Sequence, residues 1–258
     1  MIKRSIIIIF VFILLAFSFH CKKKEPELSP EITTNDEKFF NLGTKYLKKN
    51  EERGRLYLRQ LIDTFPKSFY AQRAKLAIAD SYFESNKAGS MILATSEYRE
   101  FISLYPSSPS VPYAQYQIAM TFYERMLKPG CDQTNTKKAL EEFQKLVSEY
   151  PLSDEAELAK EKMEKCEEYL AEHIFRIGKY YYKVDAYKAS VSRLNDILTK
   201  YPQYSKMDEV FYLLGDSYYR WEKVDESIPY FRKVISDYPN SKYAKKAKKI
   251  LDEIEENK

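Results

Sequence analysis

Few side chains in this sequence have the type and spacing that chemistry requires. There are three cysteines and two histidines among 258 residues. Cys131 and Cys166 could pair in an oxidising compartment, but Cys166 falls on an apolar helical stripe, and Cys131 sits in a loop by the other ends of the helices. His20 lies in an apolar leader, so His173 is the single histidine of the working protein, and its spacing puts it on a helix surface. One imidazole supplies neither a metal site nor a relay. The 38 carboxylates recur at helical intervals with no catalytic pair, and six glycines leave no phosphate-cradling loop. The 42 basic against 38 acidic side chains become 40 against 38 once Lys3 and Arg4 leave with the leader, a balance without the basic excess of a nucleic-acid binder. No catalytic residue, no metal site and no nucleic-acid partner are expected.

Cys21 has a more specific setting. Lys3 and Arg4 precede an apolar run over residues 6–17, a positive region followed by a short hydrophobic one. Such a run spans about 18 Å as a helix, against roughly 30 Å of bilayer hydrocarbon, so it reads as a secretion signal and not as a membrane span. With Cys21 directly after it and lysines at 22–24, the segment resembles a bacterial lipoprotein signal, in which the cysteine becomes the acylated first residue. Lys22 is not the Asp that favours inner-membrane retention in such proteins. This implies a signal over 1–20 and a covalent lipid on Cys21 as the only non-protein group, with no other cofactor. A flexible tether over 21–35 follows, because Pro26, Pro30 and the polar residues around them have no apolar periodicity.

The elements that position everything else repeat. An aromatic-Pro pair occurs five times, at Phe65-Pro66, Tyr105-Pro106, Tyr150-Pro151, Tyr201-Pro202 and Tyr238-Pro239, at intervals of 37 to 51 residues. Each closes an apolar stripe at three- and four-residue steps, because proline cannot continue a helix. Counting back from Pro239 places Phe211, Leu214, Gly215, Tyr218, Ser227, Phe231 and Val234 on the tetratricopeptide (TPR) pattern, and counting back from Pro202 places Ile174, Ile177, Gly178, Tyr181, Ser190, Leu194 and Ile197 on it. Three earlier repeats fit with length changes, the third carrying extra residues around 128–131. Small residues recur where paired helices approach most closely. Pro229 falls near the start of a helix, among amides expected to have no intrahelical partner. Ala159, Met163, Cys166, Leu170, Ile174, Ile177 and Tyr181 share one stripe and predict a single helix from near Asp154 to Lys183. After Pro239, Ser241 can cap a last helix with an apolar edge of Tyr243, Ala247, Ile250 and Ile254 and a solvated lysine face.

The predicted fold is therefore all-α: a TPR superhelix of five helix pairs with a long central helix and a C-terminal capping helix. Repeats 1–3 occupy 36–153, the long helix and repeats 4–5 occupy 154–240, and the cap occupies 241–258. In such arrays the first helices line a concave face. Two positions per repeat on that face are apolar or aromatic throughout: Phe40 and Leu47, Leu76 and Phe83, Tyr116 and Tyr123, Phe175 and Tyr182, Tyr212 and Tyr219. They suit either ordinary packing between helices or a half-wet groove for an extended or hairpin peptide bearing its own aromatics, with Arg73 placed for a carboxylate. Between them lie Arg73, Asp80, Lys179 and Asp216.

The order of signal, candidate lipid-bearing Cys, tether and five repeats around a long helix resembles the BamD (YfiO-like) family of outer-membrane assembly lipoproteins. The most specific part is Cys166-Glu-Glu-Tyr-Leu170-Ala171-Glu172-His173, continuing through Tyr180, Tyr181 and Tyr182, Ala186, Tyr187, Ala189 and Arg193. Pro106, Pro109, Tyr113, Ala114, Pro151 and Ser153 fit as well. The resemblance implies a lipid-anchored adaptor without enzymatic activity on the periplasmic face of the outer membrane. It implies capture of unfolded outer-membrane proteins by the amino-terminal repeats, with Phe40, Leu47, Arg73, Leu76, Phe83, Tyr116 and Tyr123 as the groove. It further implies docking of the carboxy-terminal repeats, through Arg193, Phe175 and Tyr182, on the POTRA-bearing β-barrel assembly subunit, alongside other assembly lipoproteins. Similar Tyr-Pro repeats occur in the periplasmic adaptor of the Tol-Pal system, which typically has an amino-terminal coiled coil and no acylated Cys. A repeat-bearing wall hydrolase would need a catalytic domain for which 36–258 leaves no room.

Overall fold

The computed structural model describes residues 34–256 apart from 86 and 88. The expected signal, Cys21 and the tether as far as residue 33 lie outside the described residues. Within them the chain forms eleven helices and no strand. These are α1 (Asp36–Leu47), α2 (Glu51–Thr64), α3 (Phe69–Phe83), α4 (Ser90–Leu104), α5 (Val111–Tyr123) and α6 (Thr134–Glu149), followed by α7 (Asp154–Lys183), α8 (Tyr187–Lys200), α9 (Met207–Arg220), α10 (Val224–Asp237) and α11 (Lys242–Glu256). They make five TPR helix pairs, a 30-residue long helix that is also the first helix of the fourth pair, and a cap.

Each second helix stops by the same device. The aromatic residue before proline is its C-cap, at φ between −128 and −136° and ψ between 52 and 60° in all five cases. The following pyrrolidine ring excludes the α region for that residue. Its own carbonyl then accepts a hydrogen bond from the amide three residues on, at Ser68, Ser108, Ser153, Tyr204 and Ser241. Four of these five are serines, and each serine hydroxyl accepts an amide at the start of the next helix, from Tyr70, Ser110, Ala156 and Tyr243. The fourth turn places Tyr204 where the others have serine.

The described residues divide into two compact units, one ending at Ala71 and the other beginning at Gln72. In the first, Asn35 and Asn50 cap α1 and α2 by accepting from the amides of Lys38 and Arg53. The two helices meet at their glycines. A Cβ on Gly43 would lie 2.6 Å from Leu58 Cδ2, and one on Gly54 would lie 2.4 Å from the backbone nitrogen of Leu47. The small positions of the repeat are thus places of helix contact, as the pattern implied. Phe39, Leu58 and Leu61 fill the space between α1 and α2.

In the second unit one core gathers Tyr98, Phe101, Ile118, Phe143, Leu146 and Cys166, and a second gathers Phe175, Leu194, Ile197, Tyr204, Val210 and Leu214. A third lies under α11, where Phe231 and Val234 meet Ala244, Ala247, Leu251 and Ile254. The first half of α7 packs on α5 and α6 and its second half on α8 and α9. Residues 153 and 154 both lie within this unit. Pro229 differs from expectation. Since α10 begins at Val224, Pro229 lies beyond the first four amides and forfeits a bond to the Asp225 carbonyl. Both residues are exposed.

Candidate functional site

The first-helix positions of repeats 2 and 3 that lie in the second unit are neither sealed core nor free surface. Leu76, Phe83, Tyr116 and Tyr123 are partly buried and pack against the first core. Tyr116 and Tyr123 both rest on Phe143, with ring centroids 5.7 and 6.1 Å away. Burial raises the pKa of both phenols, so they stay neutral donors on an aromatic face. Arg73 is exposed on the same helix as Leu76. Phe40 and Leu47 belong to the first unit, where Phe40 is 8% exposed with the Tyr70 ring 5.5 Å away, and Leu47 is half-buried behind Gly54.

Polar groups between these rings tie successive repeats together. Asp80 accepts the hydroxyls of Tyr98, at 2.6 Å, and Tyr113, at 2.8 Å. Burial raises the Asp80 pKa although both hydroxyls oppose it, and burial together with Asp80 pushes the Tyr113 phenol up to about 12. Asp216 plays the same part near the other end, accepting from Tyr182 Oη and from Arg220 Nε. Asp80 follows Ala79 as Asp216 follows Gly215, one residue past the small position of each repeat. At the equivalent position of the fourth repeat Lys179 donates to Glu209 at 2.6 Å.

The residues expected at a partner surface separate by exposure. Phe175 is 2% exposed, packed against Tyr204 at 5.8 Å with Lys179 and Lys206 over its ring. Its place is core, and it can shape a docking face only from beneath. Tyr182 is half-buried and held by Asp216. Arg193 is exposed and 3.8 Å from Asp196, its Cβ close to Gly178.

Beside these lies a groove the sequence did not reveal. It has a cavity volume of about 900 Å³ and runs along α7, with Tyr123 at one side and Tyr201 and Tyr204 of the fourth turn also lining it. The turn is clamped to α7. Glu168 accepts from the Ser205 amide and hydroxyl, and Glu172 accepts from Tyr204 Oη and from Lys206 Nζ. Burial alone would raise the Glu172 pKa, but the Lys206 and Tyr204 hydrogen bonds hold it below its ordinary 4.5. A depressed carboxylate stabilises the fold above its unfolded pKa and loses that contribution as the pH falls through the folded one. Glu172→Gln should therefore cost on the order of 1 kcal/mol at neutral pH, and its melting temperature should converge on that of the unaltered protein below about pH 4.5. A gap independent of pH would assign the loss to packing.

The extra residues of the third repeat meet His173, the one histidine among the described residues. His173 Nδ1 lies 2.7 Å from the Pro129 carbonyl, and a Cβ on Gly130 would lie 3.2 Å from the Arg176 guanidinium. Gln133 Nε2 donates to the Lys128 and Cys131 carbonyls, closing the loop on itself. His173 is thus half-buried and braces this loop against α7. Cys131 is exposed and Cys166 buried, both as free thiols, with Cys166 Sγ 3.7 Å from Met126 Sδ. Burial pushes the Cys166 thiol up to about 12, which removes it from nucleophilic chemistry. Among the described residues no group of three or more His, Cys, Asp or Glu could hold a metal ion, and no helix is long and apolar enough to cross a membrane.

Residues 33–222 and 200–257 match the family described as YfiO, outer membrane lipoprotein. A Rickettsia prowazekii protein named outer membrane protein assembly factor BamD is 25% identical over 236 residues, covering 90% of each chain. A Caulobacter vibrioides protein of the same name is 27% identical over 162 residues, 63% of this chain and 52% of that one. Among solved structures, that of YrrB, a TPR protein with an unusual peptide-binding site, aligns over 85% of this chain and 96% of its own at 16% identity and a TM-score of 0.37. With matches that span nearly all of the described residues, the chain belongs to the YfiO family of outer membrane lipoproteins.

Proposed function

We propose that the protein is a non-enzymatic lipoprotein subunit of the outer-membrane β-barrel assembly machinery. It takes part in outer-membrane protein assembly as a scaffold, in keeping with the assembly-factor names of its relatives. A lipid on Cys21 holds it at the periplasmic face of the outer membrane. Incoming barrel proteins are captured by first-helix residues of repeats 1–3, Phe40 and Leu47 in the first unit and Arg73, Leu76, Phe83, Tyr116 and Tyr123 in the second, and the exposed Arg193 with the Tyr182 face docks the POTRA-bearing subunit. Other assembly lipoproteins join the same scaffold.

The observation that carries the capture reading is the half-exposure of Leu76, Phe83, Tyr116 and Tyr123 on a packed core. Rings held from behind and wet in front bind with little ordering cost, and Tyr adds a hydroxyl for a strand's backbone. Phe83→Ala with Tyr123→Ala should weaken capture of aromatic-ended barrel peptides by about ten-fold or more, read by fluorescence anisotropy, while the helical circular-dichroism signal is kept. Unchanged affinity would remove this face from the binding site.

A further inference from the structure

The groove along α7 is unusual in its charge. Glu161, Glu164, Glu167 and Glu168 line it, and the only basic side chain among its lining residues is Lys165, whose ammonium sits 4.9 Å over the Tyr169 ring. Glu161 has only its neighbour Lys162, at 3.4 Å, and Glu168 is engaged by Ser205. Glu164 and Glu167 have no cation or hydrogen-bond donor among the described residues. They stand three apart on one helix, where like charges repel, and burial together with Glu164 raises the Glu167 pKa. α7 gains no stability from such a row. Lys165 in the lining and Lys162, 5.6 Å from the Tyr123 ring centroid, offset only part of its negative charge beside Tyr123 and Tyr201, which are both half-buried.

We propose that this groove docks a Lys- or Arg-bearing segment of a partner protein, with its cations on Glu164 and Glu167 and its chain beside the Tyr123 and Tyr201 rings. Charge complementarity selects the cation. Aromatic faces beside carboxylates suit Arg and Lys in particular, since the ring attracts the same charge that the carboxylate pairs. Glu164 and Glu167 stand about 4.5 Å apart along the helix axis, so neighbouring cations of one segment can reach both. The site goes beyond the aromatic face proposed above for barrel capture. It selects by charge, and it lies where the third repeat meets the turn after the fourth.

The test uses the full chain and two fluorescein-labelled probes, a peptide alternating Lys and Thr about a central Tyr, and its counterpart with Glu in place of Lys. Glu164→Gln with Glu167→Gln removes both charges without changing shape, and relief of their repulsion should leave the melting temperature equal or higher. The Lys probe should bind the unaltered protein and lose about ten-fold in affinity on the double variant. That difference should vanish near 1 M salt, where the Debye length is about 3 Å. Equal binding to both proteins, or equal binding of the Glu probe, would overturn the proposal. So would self-association of the unaltered protein that the double variant abolishes, since a second copy would then be the occupant. Phe83→Ala should leave Lys-probe binding intact, so a failure of barrel-peptide capture is read separately from a failure here.

Discussion

Phe143→Ala is expected to lower the free energy of unfolding by about 3–5 kcal/mol, the usual range for truncating a fully buried ring. Phe143 is 0% exposed and lies in the core with Tyr98, Phe101, Ile118 and Leu146, on the second helix of the third repeat. The ring is also the seat on which Tyr116 and Tyr123 rest. Its removal opens a cavity beneath the two, so the substitution acts on the fold and on the aromatic face together. Stacked repeats unfold through neighbouring interfaces. The loss should therefore appear in urea titration as early unfolding of the second and third repeats, with the later transition of the carboxy-terminal repeats little changed. Phe143→Leu keeps most of the volume and should cost less than half as much. If the face is positioned from below, that milder variant should still weaken barrel-peptide capture while the protein remains helical. An unchanged denaturation midpoint for Phe143→Ala would contradict the packing described.

Arg220→Ala should cost about 2–3 kcal/mol, more than an exposed ion pair would suggest. The Asp216 carboxylate is 3% exposed, whereas the Arg220 side chain is 51% exposed, so the loss falls on the buried partner. With the guanidinium gone, the carboxylate keeps the Tyr182 hydroxyl but no cation in a nearly dry site, and stranded buried charge is the expensive outcome. Neutralising it should recover the loss. Asp216→Asn in the Arg220→Ala background is expected to return most of the stability, giving a coupling of about 1–3 kcal/mol in a double-mutant cycle. Strict additivity would mean that the pair contributes no more than a surface contact. Because Asp216 holds Tyr182, the single variant should also disturb the face proposed for the POTRA-bearing subunit.

Much of the architecture was legible because its causes are local. A proline after an aromatic residue excludes the α region wherever it occurs, so the five helix ends could be placed from composition and spacing. The thirty-residue helix followed from an unbroken three-four stripe with no proline, and α7 has those bounds. Gly178 and Gly215 stand at the small position of the repeat pattern, and they, like Gly43 and Gly54, would each set a Cβ within 3 Å of the partner helix. Pro229 was misplaced because helix starts depend on caps, which the stripe does not specify.

The site was legible only as a row of positions. Periodicity tells which residues share a helix face, and for Phe40 and Leu76, or Phe175 and Tyr182, it says the same thing. Exposure, however, depends on what the neighbouring repeat presents, and here it put Phe175 in the core and left Phe83 and Tyr123 half-wet. The pairing of His173 with Pro129, 44 residues away, has no local signal at all. Neither does the Tyr204 turn locked on Glu172, nor the meeting of Tyr123 with Tyr201 across a row of glutamates. The sequence alone determined the repeats, their ends and the apolar stripe, since these rest on backbone sterics and helical periodicity. Tertiary structure alone decided which rings face solvent and where charge is left without a partner, since both depend on contacts between residues far apart in the chain.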